Sequence, residues 1–369
     1  MKAVDILGQD TTQVVEVTIK QPAQEMQMEE SKPALDEWKE LYDAAIEFRK
    51  IEPWKWVSET DIFGVQNPKT NGVGYCCIMG EMGEVLAMAV YHGTEGLRGY
   101  LKILNNQVKP EDPDSLHIQD CLIVMFENKR FVEKEDIQLI NRLGYKFRGR
   151  NAWPVFRSYK PGYFPWFLRR DEALYMTDAL NQAKDVCLRL KENNKMLHAP
   201  QKNQYLIRVP EIKDNNIIWK DEWRDPAPIK TGDHANEPVD EIRLQRIKNS
   251  VKQVTAVWEI DFFFAPTPIR EGGRPFFPQA IMIADHDNGF IHDVHLAQAA
   301  TCRKEFAEKF ISCIEKTSVI PLEILVRKEE VATLLKLYAA GLNIKLSMTK
   351  KLQNIDNAVK SMTRHFKGF

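Results

Sequence analysis

A chain of 369 residues with no C-x-x-C pair, no long apolar run and almost no net charge excludes several classes of function by what it lacks. Its 51 basic and 52 acidic side chains leave a formal charge of -1, so no global field holds a polyanion. Six cysteines, Cys76, Cys77, Cys121, Cys187, Cys302 and Cys313, stand singly apart from one adjacent pair, which excludes the usual zinc and dithiol spacings. Neighbours on a strand point to opposite faces, so Cys76 and Cys77 are expected as separate buried thiols in a reducing compartment. No stretch reaches the ~18 apolar residues of a membrane span. The opening MKAVDILGQD lacks a charged segment followed by an apolar one. The expectation is a cytoplasmic protein without membrane contact. Neither G-x-x-x-x-G-K nor G-x-G-x-x-G occurs, which argues against a phosphate loop.

What is present is an ordinary globular composition, 44% hydrophobic, enough to fill two or three cores. Residues 1–35 read as a weakly ordered leader with one possible strand at Val14 to Ile19. From Asp36 an amphipathic helix carries Trp38, Leu41, Tyr42, Ala45, Ile46 and Phe48 at three- and four-residue steps and stops before Pro53. Short extended runs at 61–65, 74–79 and 85–91 predict an antiparallel meander, the last two joined by a hairpin over Gly80 to Gly83. A helix over 94–104 with Thr94 as its cap, a strand over 121–126 and a helix ending at Gly144 complete an α+β domain of residues 36–150.

Residues 151–238 read as an aromatic connector followed by a helix and a hairpin. The segment WPVFRSYKPGYFPW, 153–166, is too rich in proline for a helix or a central strand. A helix from Asp171 to about Lys191 and a hairpin over 205–219 follow, and the polar stretch Asp225 to Glu237 reads as a linker. In residues 239–369 a first helix precedes the order β-β-β-α-β-α-β-α: strands at 254–264, 276–284, 290–296, 322–326 and 344–346, and helices at 301–316, 329–340 and from 352. Gly341 is expected to end the second of these helices.

That order, together with Val257-Trp258-Glu259-Ile260-Asp261 and the turn Asp285 to Gly289, resembles the RNase H-like fold of integrase and transposase catalytic cores. The resemblance covers about residues 250–369 and implies an α/β domain with a mixed sheet. It also implies convergent carboxylates on two Mg²⁺ or Mn²⁺ ions for phosphoryl transfer. Asp261 matches the first of these, and Asp285 and Asp356 are the other candidates. The end of the fourth strand, where a second carboxylate belongs, holds Arg327 and Lys328. Two cations there argue against metal, and the set reads as degenerate. Glu259 and Asp261 share one strand face, so in a packed core they require a partner, and Arg327 is the expected one. The segments Trp54-Lys55-Trp56, Asp61 to Val65 and Gly74 to Gly80, taken with these, resemble a bacterial family of two-domain proteins of uncharacterised activity.

Three further groups remain. The cluster Asp285, His286, Asp287, His292, Asp293 and His295 holds the most potential metal ligands, although turn solvation accounts for its first half. Arg157, Tyr159, Tyr163 and Trp166 are candidate binding residues that could stack a base or peptide and hold an anion. The lysines toward the carboxyl end, Lys336 to Lys367, read as a solvated helix face. The reading is a non-catalytic binding protein without cofactor, whose partner is an unidentified protein or nucleic acid. Its binding residues are Arg157, Tyr159, Tyr163, Trp166, Glu259, Asp261 and Arg327. The enzymatic alternative is a Mg²⁺- or Mn²⁺-dependent nuclease using Asp261, Asp285 and Asp356, and a third reading is single-stranded nucleic-acid binding by the 153–166 aromatics.

Overall fold

The computed structural model describes residues 32–83, 85–108, 113–214, 216–229, 240–270, 273–297 and 301–366. The expected strand at 14–19, nearly all of the leader and the linker beyond residue 229 lie outside these. The chain divides into two units, one built chiefly from residues up to 230 and one from residues 231–369.

The N-terminal unit is a seven-stranded sheet in the order β5-β4-β3-β2-β1-β6-β7. Its strands are β1 (Phe63–Gln66), β2 (Val73–Met79), β3 (Ala87–His92), β4 (Cys121–Glu127), β5 (Trp153–Tyr159), β6 (Tyr205–Lys213) and β7 (Asn216–Arg224). The first five pair antiparallel in chain order, β1 to β3 through short loops and β3 to β5 through connections that carry helices, and β1 then accepts β6 in parallel, making the sheet mixed. Gly64 permits that pairing, because a Cβ there would lie 2.3 Å from Ile207. In β2, Cys76 and Ile78 enter the core under helices α1 (Leu35–Lys50) and α4 (Arg170–Glu192), whereas Tyr75 and Cys77 face the opposite cluster with α2 (Gly93–Leu104). All six cysteines are buried.

Trp153–Tyr159 is neither helix nor central strand but an edge strand, where Pro154 is tolerated. Two other expectations fail here. Residues 151–238 therefore contribute three strands and α4 to the same sheet as residues 36–150, because buried apolar side chains on β5 and α4 join that core. Thr94 does not cap α2; its hydroxyl donates to the Ala227 carbonyl. The glycines of that helix serve packing, since a Cβ on Gly96 or Gly99 would meet the Asp120 or Ile118 carbonyl at 2.6 or 2.2 Å. The remaining helix of this unit is α3 (Lys134–Arg142), and it ends where Gly144 takes a left-handed conformation, as its sequence predicts.

The C-terminal unit is a five-stranded mixed sheet in the order β10-β9-β8-β11-β12. It comprises β8 (Lys252–Phe264), β9 (Gln279–Asp285), β10 (Ile291–Ala297), β11 (Val319–Val326) and β12 (Lys345–Met348). The first three are antiparallel; β11 runs parallel to both β8 and β12. On one face Trp258, Ile260 and Phe262 pack with helices α5 (Glu241–Ser250), α6 (Cys302–Thr317) and α7 (Glu329–Leu342). On the other, Phe263, Met282 and Ala284 pack with Leu352, Ile355 and Met362 of the segment that forms α8 (Gln353–Phe366). Gly341 stays within α7, and Asn343 takes the left-handed position instead, a conformation asparagine tolerates.

Candidate functional site

Period-two alternation puts Glu259 and Asp261 on the same face of β8 as Phe263, beneath α8. Both carboxylates are fully buried, and each has its own solution to the cost of that burial. Glu259 receives the backbone N–H of Asn354 at 2.9 Å and of Ile355 at 3.1 Å, so it closes the amino-terminal turn of α8 from a neighbouring strand. Its other oxygen lies 2.7 Å from His286 Nδ1. Asn354 completes the arrangement by donating to the carbonyls of Asp285 and His286.

Asp261 is met by a cation. Arg327 follows directly on β11, which lies beside β8, and its Nε donates to Asp261 Oδ2 at 2.6 Å. Its Nη1 donates to Asp356 Oδ1 on α8, also at 2.6 Å. Lys328 turns to the Phe262 carbonyl at 2.9 Å. Burial pushes the Asp261 carboxyl above its ordinary range, with Lys328 and Arg327 pulling it back. Burial works against the charge on Arg327, but Asp261 and Asp356 outweigh it and hold the guanidinium more firmly protonated. A guanidinium thus stands between the two carboxylates that the resemblance would assign to metal.

Asp285 is not part of this arrangement. It pairs across the sheet with Trp258, on the face opposite Asp261, and its Oδ1 accepts the N–H groups of Asp287 and Asn288 in a turn. The three carboxylates of the enzymatic alternative therefore do not converge. His292 lies with its ring centroid 4.8 Å from that of Trp258, and burial lowers its basicity while Asp285 acts the other way. His295 is engaged by Glu305 at 2.5 Å. Among the described residues, no group of three or more His, Cys, Asp or Glu side chains is arranged to hold a metal ion.

The aromatic candidates disperse. Arg157 is 6% exposed and its fork is spent on Asp136, at 3.1 and 2.7 Å, with Glu133 also in reach, so it does not present a charge to a ligand. This corrects its expected role: a cation at the centre of a buried strand is retained only with a partner. Tyr159 packs partly buried in the cluster under α2. Trp166 bridges Ser158 through its backbone and lies edge-on to Phe167. Tyr163 belongs by its contacts to the C-terminal unit, with Arg274 over its ring at 5.6 Å. Sequence reasoning missed Asn354 and Asp136 and read His286 only as a potential metal ligand, because their contacts arise from pairings across the chain that no spacing encodes.

Among the described residues no helix is long and apolar enough to cross a membrane. No curated protein matches the chain. Residues 38–208 match the family model of a domain of unknown function, DUF7309, and residues 243–363 match that of a second, DUF6930; the chain is similar to these two domains in tandem, as in a two-domain family.

Proposed function

We propose that the C-terminal unit is an RNase H-like domain that has lost metal-dependent catalysis and that the protein acts in the cytoplasm by binding a macromolecule. Arg327 between Asp261 and Asp356 carries this reading: the cation occupies the position a divalent ion needs, and it is tied into the fold by two short charge-assisted bonds. The order β10-β9-β8-β11-β12, with β11 beside the strand of Asp261, supports the RNase H-like assignment. The commitment of Glu259 to α8 removes a further carboxylate from any metal. Function resides in the site, so the scaffold alone does not argue for phosphoryl transfer.

Calorimetric titration of Mn²⁺ and Mg²⁺ into the wild type and into Asp261→Asn tests this. No saturable heat is expected from either protein. Saturable binding by the wild type that Asp261→Asn abolishes would restore the nuclease reading.

A further inference from the structure

The loop after α3 reads Tyr145-Lys146-Phe147-Arg148-Gly149-Arg150, alternating rings and cations. With Lys129 and Trp153 it lines an open cavity of about 490 Å³ in the N-terminal unit, within the size range of ligand sites. Between Asn128 and Asn151 seven Lys and Arg side chains stand against three acids, in a chain whose formal net charge is -1. Two of those acids, Glu133 and Asp136, are committed to Arg157. Lys146, Arg148 and Arg150 are exposed, and among the described residues none of them forms an ion pair with an acid. Exposed cations gathered without counter-ions raise the local potential and attract an anion.

The rings are held in place from beneath. Tyr145 stacks on Tyr42 and on Phe147, each at 5.7 Å between centroids, and Phe147 meets Trp153 edge-on at 5.8 Å. The Tyr145 hydroxyl donates to Asp43 at 2.6 Å, and Asn128 accepts the Asn151 N–H, closing the loop. Gly149 adopts φ +98°, with nothing within 4 Å of where its Cβ would stand, so a ligand can approach the backbone there. Tyr145 and Phe147 are half-buried and present their remaining surface to the cavity between Lys146 and Arg148.

We infer that this cavity binds single-stranded nucleic acid, phosphates on Lys129, Lys146 and Arg148 and a base against the Tyr145–Phe147 rings. A duplex keeps its bases stacked inside and would meet only the cations, whereas a single strand satisfies rings and charges together. The site stands on the N-terminal unit alone and does not depend on the carboxylate arrangement around Arg327.

Fluorescence anisotropy of labelled single-stranded RNA and DNA of matched sequence, titrated with the full chain in EDTA over a salt series, tests it. EDTA removes any metal-mediated capture at Asp261, so failure here and failure of the proposed function remain distinguishable. Lys146→Ala with Arg148→Ala should weaken binding roughly tenfold at low salt and flatten the log K versus log salt slope by roughly 1.4, about 0.7 per phosphate contact removed. Phe147→Leu should weaken binding roughly tenfold with the slope unchanged. Lys350→Ala with Lys351→Ala, exposed on the C-terminal unit, should change neither. Equal affinity for RNA and DNA supports readout of backbone and base alone, and a preference for RNA supports an added 2′-hydroxyl contact. No binding at low salt overturns the inference. So does an unchanged slope in the Lys146/Arg148 variant that melts as the wild type, or equal competition by polyglutamate.

Discussion

Each unit buries an arginine among carboxylates, and the two solve the problem differently. Arg157 in the N-terminal unit gives two nitrogens to a single carboxylate, Asp136, only 21 residues away in sequence, and both side chains are almost fully buried. Arg327 in the C-terminal unit divides itself between Asp261 on β8 and Asp356 on α8, and a quarter of its side chain remains exposed. The bidentate pair draws in only Glu133, three residues from Asp136, and so holds one region. The divided arginine ties a strand end to both another strand and a helix, and it leaves Asp261 Oδ1 buried without a hydrogen-bond partner among the described residues. The first kind fixes one strand to the helix beside it; the second fixes a strand end to both a strand and a helix.

Three measurements sharpen that contrast. The largest effect is expected from Arg157→Met, which strands Asp136 in the core: a loss of about 3–5 kcal/mol in urea unfolding, with hydrogen exchange accelerated in β4 and β5 and not in the C-terminal sheet. Asp261→Asn should cost less, about 2 kcal/mol, because the neutral amide retains a bond to Arg327 and escapes the penalty that burial imposes on the ionised form. An Asp261→Asn loss equal to that of Arg157→Met would mean that the divided arginine is as closed as the bidentate one.

The smallest effect is a gain. Burial on α4 pushes Asp178 up to about 6, with Lys69 pulling against it. A folded-state pKa above the unfolded value means that the native state binds the extra proton, so this contribution is full below the unfolded value of 3.8 and is lost as pH rises to about 6. Asp178→Asn should therefore stabilise the protein by about 1 kcal/mol at pH 7, and the difference should vanish in melts below pH 4. A constant difference across that range would place its origin in packing.

Most helix and strand positions among the described residues were legible because apolar periodicity is a local property. The helix that begins near Asp36, the hairpin at Gly80 to Gly83, the strand at Cys121 and the turn at Asn288-Gly289 all follow from residues within a few positions of one another. Proline density at Trp153–Tyr159 excluded a helix and a central strand, whereas the edge position it takes is a property of the whole sheet. The pairing of Arg327 with a β8 carboxylate was legible in part, from two acids on one strand face facing a misplaced cation. The cation–aromatic alternation at 145–150 was visible in the sequence and was overlooked; its significance depends on the cavity that Lys129 and Trp153 complete.

By itself the sequence determined most of the elements, the buried state of the cysteines and the need of two acids on one face of β8 for a partner such as Arg327. Only the tertiary structure decided that Glu259 serves α8, that Asp285 faces away from Asp261, that Arg157 is spent on Asp136 and that a basic aromatic cavity lies open. The reason is physical: periodicity acts over a few residues, but a buried charge is settled by whatever partner the fold brings into hydrogen-bond reach, for Glu259 from as far as 96 residues away.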